Sequence, residues 1–322
     1  MWINLQNEQK NTQSMKLTRK RAEGELSEKP PFPRNMMVEL TNACNHRCLF
    51  CAHKKMHRKI GFCDKDQMLS IIIQAYELGT REIGFYLAGE TLLSKDLEFL
   101  VDKCKHLGFE YIYLTTNGVY ADKNRVKRLC ELGLDSIKFS VDAATREVYQ
   151  KIHGKDDFDI VKKNLFDVLA LKKQNPSFGV FASFCIVKSN KEETELFKEY
   201  FGKYLDDVEI ELAMEQGGET PELVDELVDP TKRLSQIPCE RIFNRLHVTY
   251  EGYLNACCVD FENMLAYADL NKESLKDAWH NETITALRRE HLHGNLSWNK
   301  CYNCVNSKQA EKIFPLSKAL VQ

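Results

Sequence analysis

The sequence lacks several features that would place the protein in a common class. No apolar stretch approaches the ~18 residues that a membrane-spanning helix requires, and mean hydropathy is -0.43. The N-terminus (MWINLQNEQKNTQ) has no apolar segment behind a basic patch, so no signal peptide is visible. Neither sign of charge is in excess, since 45 Lys and Arg face 47 Asp and Glu. We therefore expect a cytoplasmic protein with no membrane partner and no nucleic-acid partner bound through bulk positive charge.

Cysteine, in contrast, is frequent, with 12 in 322 residues. A secreted mini-protein would use so many thiols for disulfides, but this chain is far larger and has no visible export signal. In a reducing compartment the same number points to metal or redox chemistry. Two sets are clustered: Cys44, Cys48 and Cys51 near the start of the chain, and Cys239, Cys257, Cys301 and Cys304 near its end.

The alternation of apolar runs with amphipathic segments indicates the fold class. Six strands are predicted, at 36–40, 82–87, 111–115, 135–140, 178–187 and 207–212. Helical patterns lie between them, near 66–78, 95–107, 123–132, 158–173 and 192–204. This order predicts an α/β fold with a parallel sheet. Six units are too few for a closed eight-fold barrel, so we expect a partial (β/α)6 TIM-like barrel with its functional groups at the C-terminal strand ends.

Composition divides the chain into four predicted regions. Residues 1–34 are polar, with a basic segment at 16–21 (KLTRKR), and are expected to form an arm. The barrel is placed at 35–215, an acidic linker at 216–236, and a small α+β domain at 237–322. Residues 205–230 carry ten Asp and Glu and no Lys or Arg, which is typical of a solvated segment. Steering of a cationic substrate is the alternative role for this charge.

The first cysteine set forms a C-x3-C-x2-C motif directly after the first predicted strand. Three thiolates on a short loop can each bind one iron of a [4Fe-4S] cluster, which leaves the fourth iron open to a substrate or cofactor. Structural zinc is the alternative. Zinc prefers four ligands, so His46 or His53 would have to supply the fourth.

With Phe50 before its last cysteine and the lead-in Val38-Glu39-Leu40-Thr41-Asn42, the motif resembles that of the radical S-adenosylmethionine (SAM) enzymes. The resemblance covers about 36–215 and implies that Cys44, Cys48 and Cys51 hold the catalytic cluster, whose open iron chelates SAM. It further implies reductive cleavage of SAM to methionine and a 5′-deoxyadenosyl radical, which abstracts a substrate hydrogen. A flavodoxin- or ferredoxin-type protein would supply the electron.

Segments at the later strand ends are similar to those with which these enzymes contact SAM. Leu87-Ala88-Gly89-Glu90 resembles a Gly-Gly-Glu stretch, and Ser140-Val141-Asp142 closes the fourth strand. Each segment is also ordinary turn chemistry without a ligand. His153 stands where relatives often have an Arg for the SAM carboxylate, with Lys151 or Arg146 as alternatives. The resemblance implies a cofactor-binding set of Phe50, Gly89, Glu90, Asn117, Ser140, Asp142 and His153.

The second cysteine set surrounds a predicted β-hairpin at 247–258, with its turn at Glu251-Gly252. A helix predicted near 274–292 then leads to Cys301-x2-Cys304. Four thiolates make a fully ligated cluster suited to electron transfer, and four-cysteine zinc is the alternative. The arrangement resembles the twitch domain, the shortened SPASM domain, of aminocyclitol (2-deoxy-scyllo-inosamine) dehydrogenase-type enzymes. It implies one auxiliary [4Fe-4S] cluster, with Cys258 as an alternative ligand to Cys257.

Together these resemblances imply a radical SAM enzyme that dehydrogenates an alcohol carbon of a small sugar, aminosugar or cyclitol. Two enzymatic alternatives stay open: a SPASM-type peptide maturase, and a radical epimerase with Cys63, Cys185 or Cys258 as hydrogen donor. An iron–sulfur electron carrier and a zinc-stapled binding module are the non-enzymatic alternatives. Cys104 and Cys130 lie on helical patterns and are predicted to pack as small apolar residues.

Overall fold

The computed structural model describes residues 26–231, 237–297, 299–306 and 313–321. The basic segment 16–21 and most of the predicted arm lie outside these residues. The strands are β1 (Asn35–Val38), β2 (Glu82–Phe85), β3 (Tyr111–Thr116), β4 (Ser136–Ser140), β5 (Gly179–Ile186), β6 (Asp207–Leu212), β7 (Arg245–Val248), β8 (Tyr253–Asn255) and β9 (Ala266–Asp269). Among the described residues they form one sheet in the order β6-β5-β4-β3-β2-β1-β7-β8-β9.

Helices connect the strands of the N-terminal half. They are α1 (Lys65–Glu77), α2 (Leu97–Leu107), α3 (Lys123–Leu132), α4 (Arg146–His153), α5 (Phe158–Leu171) and α6 (Thr194–Phe197). Asp64 and Asp122 begin α1 and α3, because each carboxylate accepts two backbone N–H groups of the first turn. α2 and α3 end at Gly108 and Gly133, whose left-handed conformations suit glycine, as the Leu-Gly pairs predict.

Strands β1 to β6 are parallel and neighbour one another in chain order, which confirms the predicted partial barrel. Every second residue of β3, such as Ile112 and Leu114, is buried in the core between the sheet and the helices. Because side chains alternate along a strand, the residues between them face the other side, which is the barrel lumen. Among the described residues no helix is both long and apolar enough to cross a membrane.

The C-terminal half extends this sheet. β7 pairs in parallel with β1, with Asn35 opposite Arg245, and then turns into the predicted hairpin with β8. The sequence did not indicate β9, which adds a third strand. The helices are α7 (Arg241–Asn244), α8 (Leu275–Trp279), α9 (Glu282–His293) and α10 (Lys300–Val305). The helix predicted near 274–292 is therefore two helices, since the Asn281 side chain accepts from Ile284 N (3.1 Å) and starts α9.

Candidate functional site

The N-terminal cysteines lie on the loop that follows β1. The loop is fastened to the end of α4, since Arg47 N donates to His153 O (3.1 Å) and Leu49 N donates to Ile152 O (2.7 Å). Burial raises the pKa of the Cys51 thiol to about 12 and raises the pKa values of Cys44 and Cys48. The neighbouring thiols contribute to the shifts of Cys48 and Cys51, so the three lie close together. A bound iron cation would offset the cost of ionising them, and the residues therefore fit a [4Fe-4S] cluster.

Gly89 allows the end of β2 to approach this loop closely. A Cβ at this position would lie 2.6 Å from Ala43 O and would also collide with Thr41 O. Glu90 N donates to the same Ala43 carbonyl (2.8 Å). Because both obstacles are backbone atoms, a side chain here would have to displace the cysteine loop.

The Glu90 carboxylate is buried and holds the ends of two strands together. Its oxygens accept from Leu92 N (3.0 Å), Thr116 Oγ1 (2.8 Å) and Asn117 N (2.7 Å), and burial raises its pKa. The Asn117 side chain in turn donates to Asn45 Oδ1 (2.7 Å) in the cysteine loop. Glu90 thus positions β3 against that loop, and its contact with the SAM ammonium stays a prediction.

His153 differs from the cationic role that the resemblance implies. Its ring is fully buried, with Nε2 2.8 Å from Val141 O and Nδ1 3.3 Å from Cys48 Sγ. Burial lowers its pKa to about 3, so the imidazole is neutral. The alternative Arg146 is paired with Asp156 at the surface, through bonds of 2.6 and 2.7 Å.

The other predicted SAM contacts surround the same strand ends. Asp142 has a left-handed φ of 56°, and its Oδ1 accepts from Cys185 N (2.7 Å). Burial raises the pKa of Asp142 to about 7. Ser140 faces the lumen with its Oγ 3.4 Å from Ser183 Oγ, and Phe50 is half-buried in a small apolar cluster that includes Ile152.

The zinc alternative at this loop has one set of potential ligands. His46, Cys48 and His153 have ligand atoms within 4.8 Å of one another. However, His46 Nε2 lies 3.1 Å from Asp157 Oδ2, and His53 Nε2 lies 2.6 Å from Asn42 O. One nitrogen of each imidazole is therefore engaged by an oxygen partner, while His46 Nδ1 is buried with no hydrogen-bond partner among the described residues.

The C-terminal cysteines line a cavity of about 430 Å³, a volume that includes open solvent at its mouth. The four thiols belong to Cys239, Cys257, Cys301 and Cys304. Cys258 is not among the lining residues, but its thiol contacts the Cys257 thiol and also lies near His247 and Arg241, so the choice between Cys257 and Cys258 as ligand stays open. A cavity lined by four thiols fits a fully ligated iron–sulfur cluster.

Neighbouring side chains accept hydrogen bonds from the backbone N–H groups of three of these cysteines and so hold them in place. Asn255 Oδ1 accepts from Cys257 N (2.9 Å), and Asn299 Oδ1 accepts from Cys301 N (2.8 Å). His291 Nδ1 accepts from Cys239 N (3.2 Å). The sequence did not point to these polar residues, although both asparagines stand two positions before a cysteine.

The acidic segment touches both cysteine sites. Gln216 Oε1 accepts from Ala52 N (2.9 Å), one residue after Cys51, and Gly217 lines the C-terminal cavity. Glu219 pairs with the buried Lys300, which lines the same cavity. The start of the segment, residues 216–220, thus packs against both sites, whereas acidic residues that follow it, such as Glu222 and Asp225, are exposed.

A buried ion-pair network, also missed from the sequence, connects the cysteine loop to the hairpin. Arg58 Nη2 donates to Glu39 Oε1 and to Glu251 Oε2 (both 2.6 Å), and Arg58 Nε donates to Glu251 Oε1 (2.9 Å). Glu39 directly follows β1, and Glu251 lies in the turn between β7 and β8. Of the cysteines predicted to pack as apolar residues, Cys104 lies in the core and the partly buried Cys130 packs against it.

Comparison with known proteins supplies a family assignment. Residues 38–199 match the model of the radical SAM superfamily, and residues 239–305 match an iron–sulfur cluster-binding domain of the SPASM type. A probable GTP 3′,8-cyclase from Saccharolobus solfataricus is 30% identical over 165 residues, 51% of this chain and 52% of the relative. The GTP 3′,8-cyclase of Chlorobaculum tepidum is 31% identical over 164 residues, 50% and 48% of the two chains. This chain thus spans about half the length of these curated relatives.

Solved structures share the fold at low identity. SuiB of Streptococcus suis bound to precursor peptide SuiA has a TM-score of 0.65 and 14% identity, covering 91% of this chain and 73% of SuiB. BtrN in complex with AdoMet and 2-DOIA has a TM-score of 0.56 and 18% identity, covering 87% and 96%. anSMEcpe with bound AdoMet has a TM-score of 0.62 and 13% identity, and the match covers 88% of this chain and 93% of anSMEcpe.

At these identities the likeness concerns the fold alone, so the finer resemblance to an aminocyclitol dehydrogenase is not settled by it. The superfamily match, in contrast, spans half of the chain and contains the loop on which three thiols converge. The protein therefore belongs to the radical SAM superfamily, carries a C-terminal SPASM/twitch domain, and uses SAM, a SAM-binding [4Fe-4S] cluster and auxiliary iron–sulfur as its cofactors.

Proposed function

We propose that the protein dehydrogenates an alcohol carbon of a small sugar, aminosugar or cyclitol. The observation that carries the proposal is the cavity that Cys239, Cys257, Cys301 and Cys304 line together. With every iron held by a protein thiolate, a cluster there has no position for substrate and is suited to accepting an electron. When bound, SAM and the two clusters supply a 5′-deoxyadenosyl radical and this acceptor, as a two-electron oxidation requires.

The lumen residues favour a small hydroxylated substrate. Thr115, Ser140 and Ser183 place hydroxyl groups on the lumen face of β3, β4 and β5. Lys138 Nζ and Glu209 Oε2 form a partly buried ion pair across β4 and β6 (2.6 Å). Hydroxyl, ammonium and carboxylate groups of this kind can also hydrogen-bond the hydroxyl and amino groups of a sugar.

The cysteine loop is positioned by residues of this chain. Gly89 permits the loop to approach the end of β2, and Glu90 holds Asn117 where its amide reaches the loop. We assign Cys44, Cys48 and Cys51 to the SAM-binding cluster. A flavodoxin- or ferredoxin-type protein is the proposed reductant.

A second candidate is cyclisation of GTP, the reaction for which the curated relatives are named. The observation that favours it is 30% identity over half of the chain. Modification of a peptide, suggested by the fold shared with peptide-bound SuiB, is a further outcome of the same assay.

The test is an anaerobic assay of the reconstituted full chain with SAM and dithionite. Sugars, aminosugars, cyclitols, GTP and short peptides are supplied separately, each at the same concentration. We expect one polyol class to yield a carbonyl product and 5′-deoxyadenosine in equal amounts, with deuterium moving from a labelled carbinol carbon into 5′-deoxyadenosine. A Cys130→Ala variant, which removes a cysteine outside both sites, should behave like wild type. Turnover of GTP or a peptide with no polyol oxidised would replace the proposal.

A further inference from the structure

One buried carboxylate on the acidic segment has an oxygen without a hydrogen-bond partner. Glu219 pairs through Oε1 with Lys300 Nζ, whereas its Oε2 is buried and accepts no hydrogen bond within the part of the chain that the structure describes. It is the one carboxylate among the described residues with a buried, unpartnered oxygen. Such an atom normally has a partner, so its position indicates a ligand or a proton that binds there.

The other buried acids near the two sites are already engaged. Glu90 accepts three hydrogen bonds, and Asp142 accepts from Cys185 N and lies 3.5 Å from His153 Nε2. Asp260 accepts from Asn255 Nδ2 (2.8 Å) and Leu265 N (2.6 Å). Glu219 alone of these four has an oxygen available to a new donor.

Glu219 also lies between the two cysteine sites. Gln216, three residues before it, is bound to Ala52 N beside Cys51, and the Glu219 charge contributes to the raised pKa of that thiol. On the other side its partner Lys300 lines the C-terminal cavity and donates to Val259 O (2.7 Å). A substrate lying between the clusters would therefore find this carboxylate beside the route that its electron must take.

The charges around Glu219 set its proton affinity near neutrality. Burial raises its pKa to about 7, Lys300 lowers it, and the carboxylates of Asp260 and Glu262 raise it. Cys51 faces it from the first cysteine loop. A carboxyl group in this range exists in both protonation states at the working pH, as a general base should.

We propose that Glu219 is the proton acceptor for substrate oxidation. The inference rests on the proposed dehydrogenation. The carbinol carbon gives a hydrogen atom to the 5′-deoxyadenosyl radical, which becomes 5′-deoxyadenosine. The hydroxyl proton passes to the Glu219 carboxylate, the remaining electron passes to the auxiliary cluster, and the C–O single bond becomes a carbonyl.

A substrate-free measurement tests the placement of Glu219. A negative charge added to the cavity raises the proton affinity of a neighbouring carboxylate, so reduction of the auxiliary cluster should be accompanied by proton uptake. In a Cys44→Ala/Cys48→Ala/Cys51→Ala background, which retains the auxiliary cluster alone, an EPR-monitored redox titration reports its potential. Full coupling would change that potential by about 59 mV for each tenfold change in proton concentration.

We expect the potential to fall as pH rises above about 7, where the oxidised form has lost the proton that the reduced form keeps, and Glu219→Gln in the same background to remove this dependence. Glu222→Gln, in the same segment but paired with Lys55 at the surface, should retain it. Equal iron content in all three proteins would show that the cluster is intact. A potential that is independent of pH in the parent, or equally dependent in Glu219→Gln, would overturn the inference.

The assay with a polyol substrate separates this inference from the proposed function. Glu219→Gln should lower carbonyl formation at least about 100-fold, the usual effect of losing a general base, while 5′-deoxyadenosine is still released. If polyols are oxidised equally well by Glu219→Gln, the proton acceptor is wrong and the dehydrogenase assignment stands. If no polyol is oxidised by any variant, the proposed function fails, whatever the titration gives.

Discussion

Replacing Arg58 with Met should destabilise the protein more than any exposed substitution on the same loop. The guanidinium donates three hydrogen bonds to Glu39 and Glu251, and all three residues are largely buried. Glu39 is 2% exposed, so without Arg58 its charge would stay buried with no cation. Breaking a buried ion pair on one side typically costs about 3–5 kcal/mol, whereas an exposed pair contributes about 0–1 kcal/mol.

Urea unfolding of the apo protein measures this cost. Arg58→Met should lower the free energy of unfolding by about 3–5 kcal/mol. Lys59→Met, which removes a neighbouring exposed cation, should lower it by less than about 1 kcal/mol. Adding Glu39→Gln and Glu251→Gln to Arg58→Met should recover part of the loss, because no charge then remains buried. Bound iron should also fall in Arg58→Met, since the network fastens the segment after Cys51.

Two results would refute this reasoning. The first is a loss below about 1 kcal/mol for Arg58→Met, which would show that water reaches the carboxylates. The second is a triple variant as unstable as the single one. In that case the cation–π contact of the Arg58 guanidinium with the Tyr250 ring (5.4 Å), and not the ion pairs, would carry the stability.

Three further experiments with substituted proteins test other parts of the site. Glu90→Gln replaces one carboxylate oxygen, an acceptor, with an amide NH2 donor, and losing a hydrogen bond to a charged group typically costs about 1.5–3 kcal/mol. SAM affinity, measured by equilibrium dialysis, should fall about tenfold while both clusters are retained. Unchanged SAM affinity would show that Glu90 is only a turn residue. Cys301→Ala/Cys304→Ala should leave SAM cleavage measurable and stop carbonyl formation; a carbonyl product would remove the auxiliary cluster from the reaction. Cys63→Ala and Cys185→Ala should keep most activity; solvent deuterium at an inverted carbon, lost in either variant, would indicate epimerisation.

Local patterns in the sequence predicted the barrel half closely. Alternating apolar residues and the Gly residues at Gly108 and Gly133 mark strand and helix ends, because both signals act over a few residues. β6 (Asp207–Leu212) begins and ends at the predicted positions. The helix α4 was missed, although Thr145 starts it with a side-chain cap, because eight residues give little periodicity.

Contacts between distant segments escaped prediction. That β7 would extend the barrel sheet beside β1 depends on pairing residues about 210 positions apart, for which hydrophobic pattern carries no signal. The pairing of Glu219 with Lys300 is of the same kind, and it holds the start of the acidic segment against the C-terminal site. Likewise the sequence pointed to His153 but could not show that its imidazole is neutral, because burial is a property of the assembled fold.

Only part of the arrangement around the SAM-binding cysteines could be predicted from the sequence. Spacing alone indicated that Cys44, Cys48 and Cys51 share a loop. The close approach of Gly89 and the amide of Asn117 became visible only when the strand ends were brought together.

The most direct test of the account is 5′-deoxyadenosine release by Cys44→Ala/Cys48→Ala/Cys51→Ala. The reconstituted triple variant should contain roughly four irons per chain where wild type contains roughly eight, assuming two four-iron clusters. With SAM and dithionite, wild type should release 5′-deoxyadenosine and the triple variant none. Release of 5′-deoxyadenosine by the triple variant would contradict the assignment of SAM cleavage to this loop, and with it the proposed oxidation.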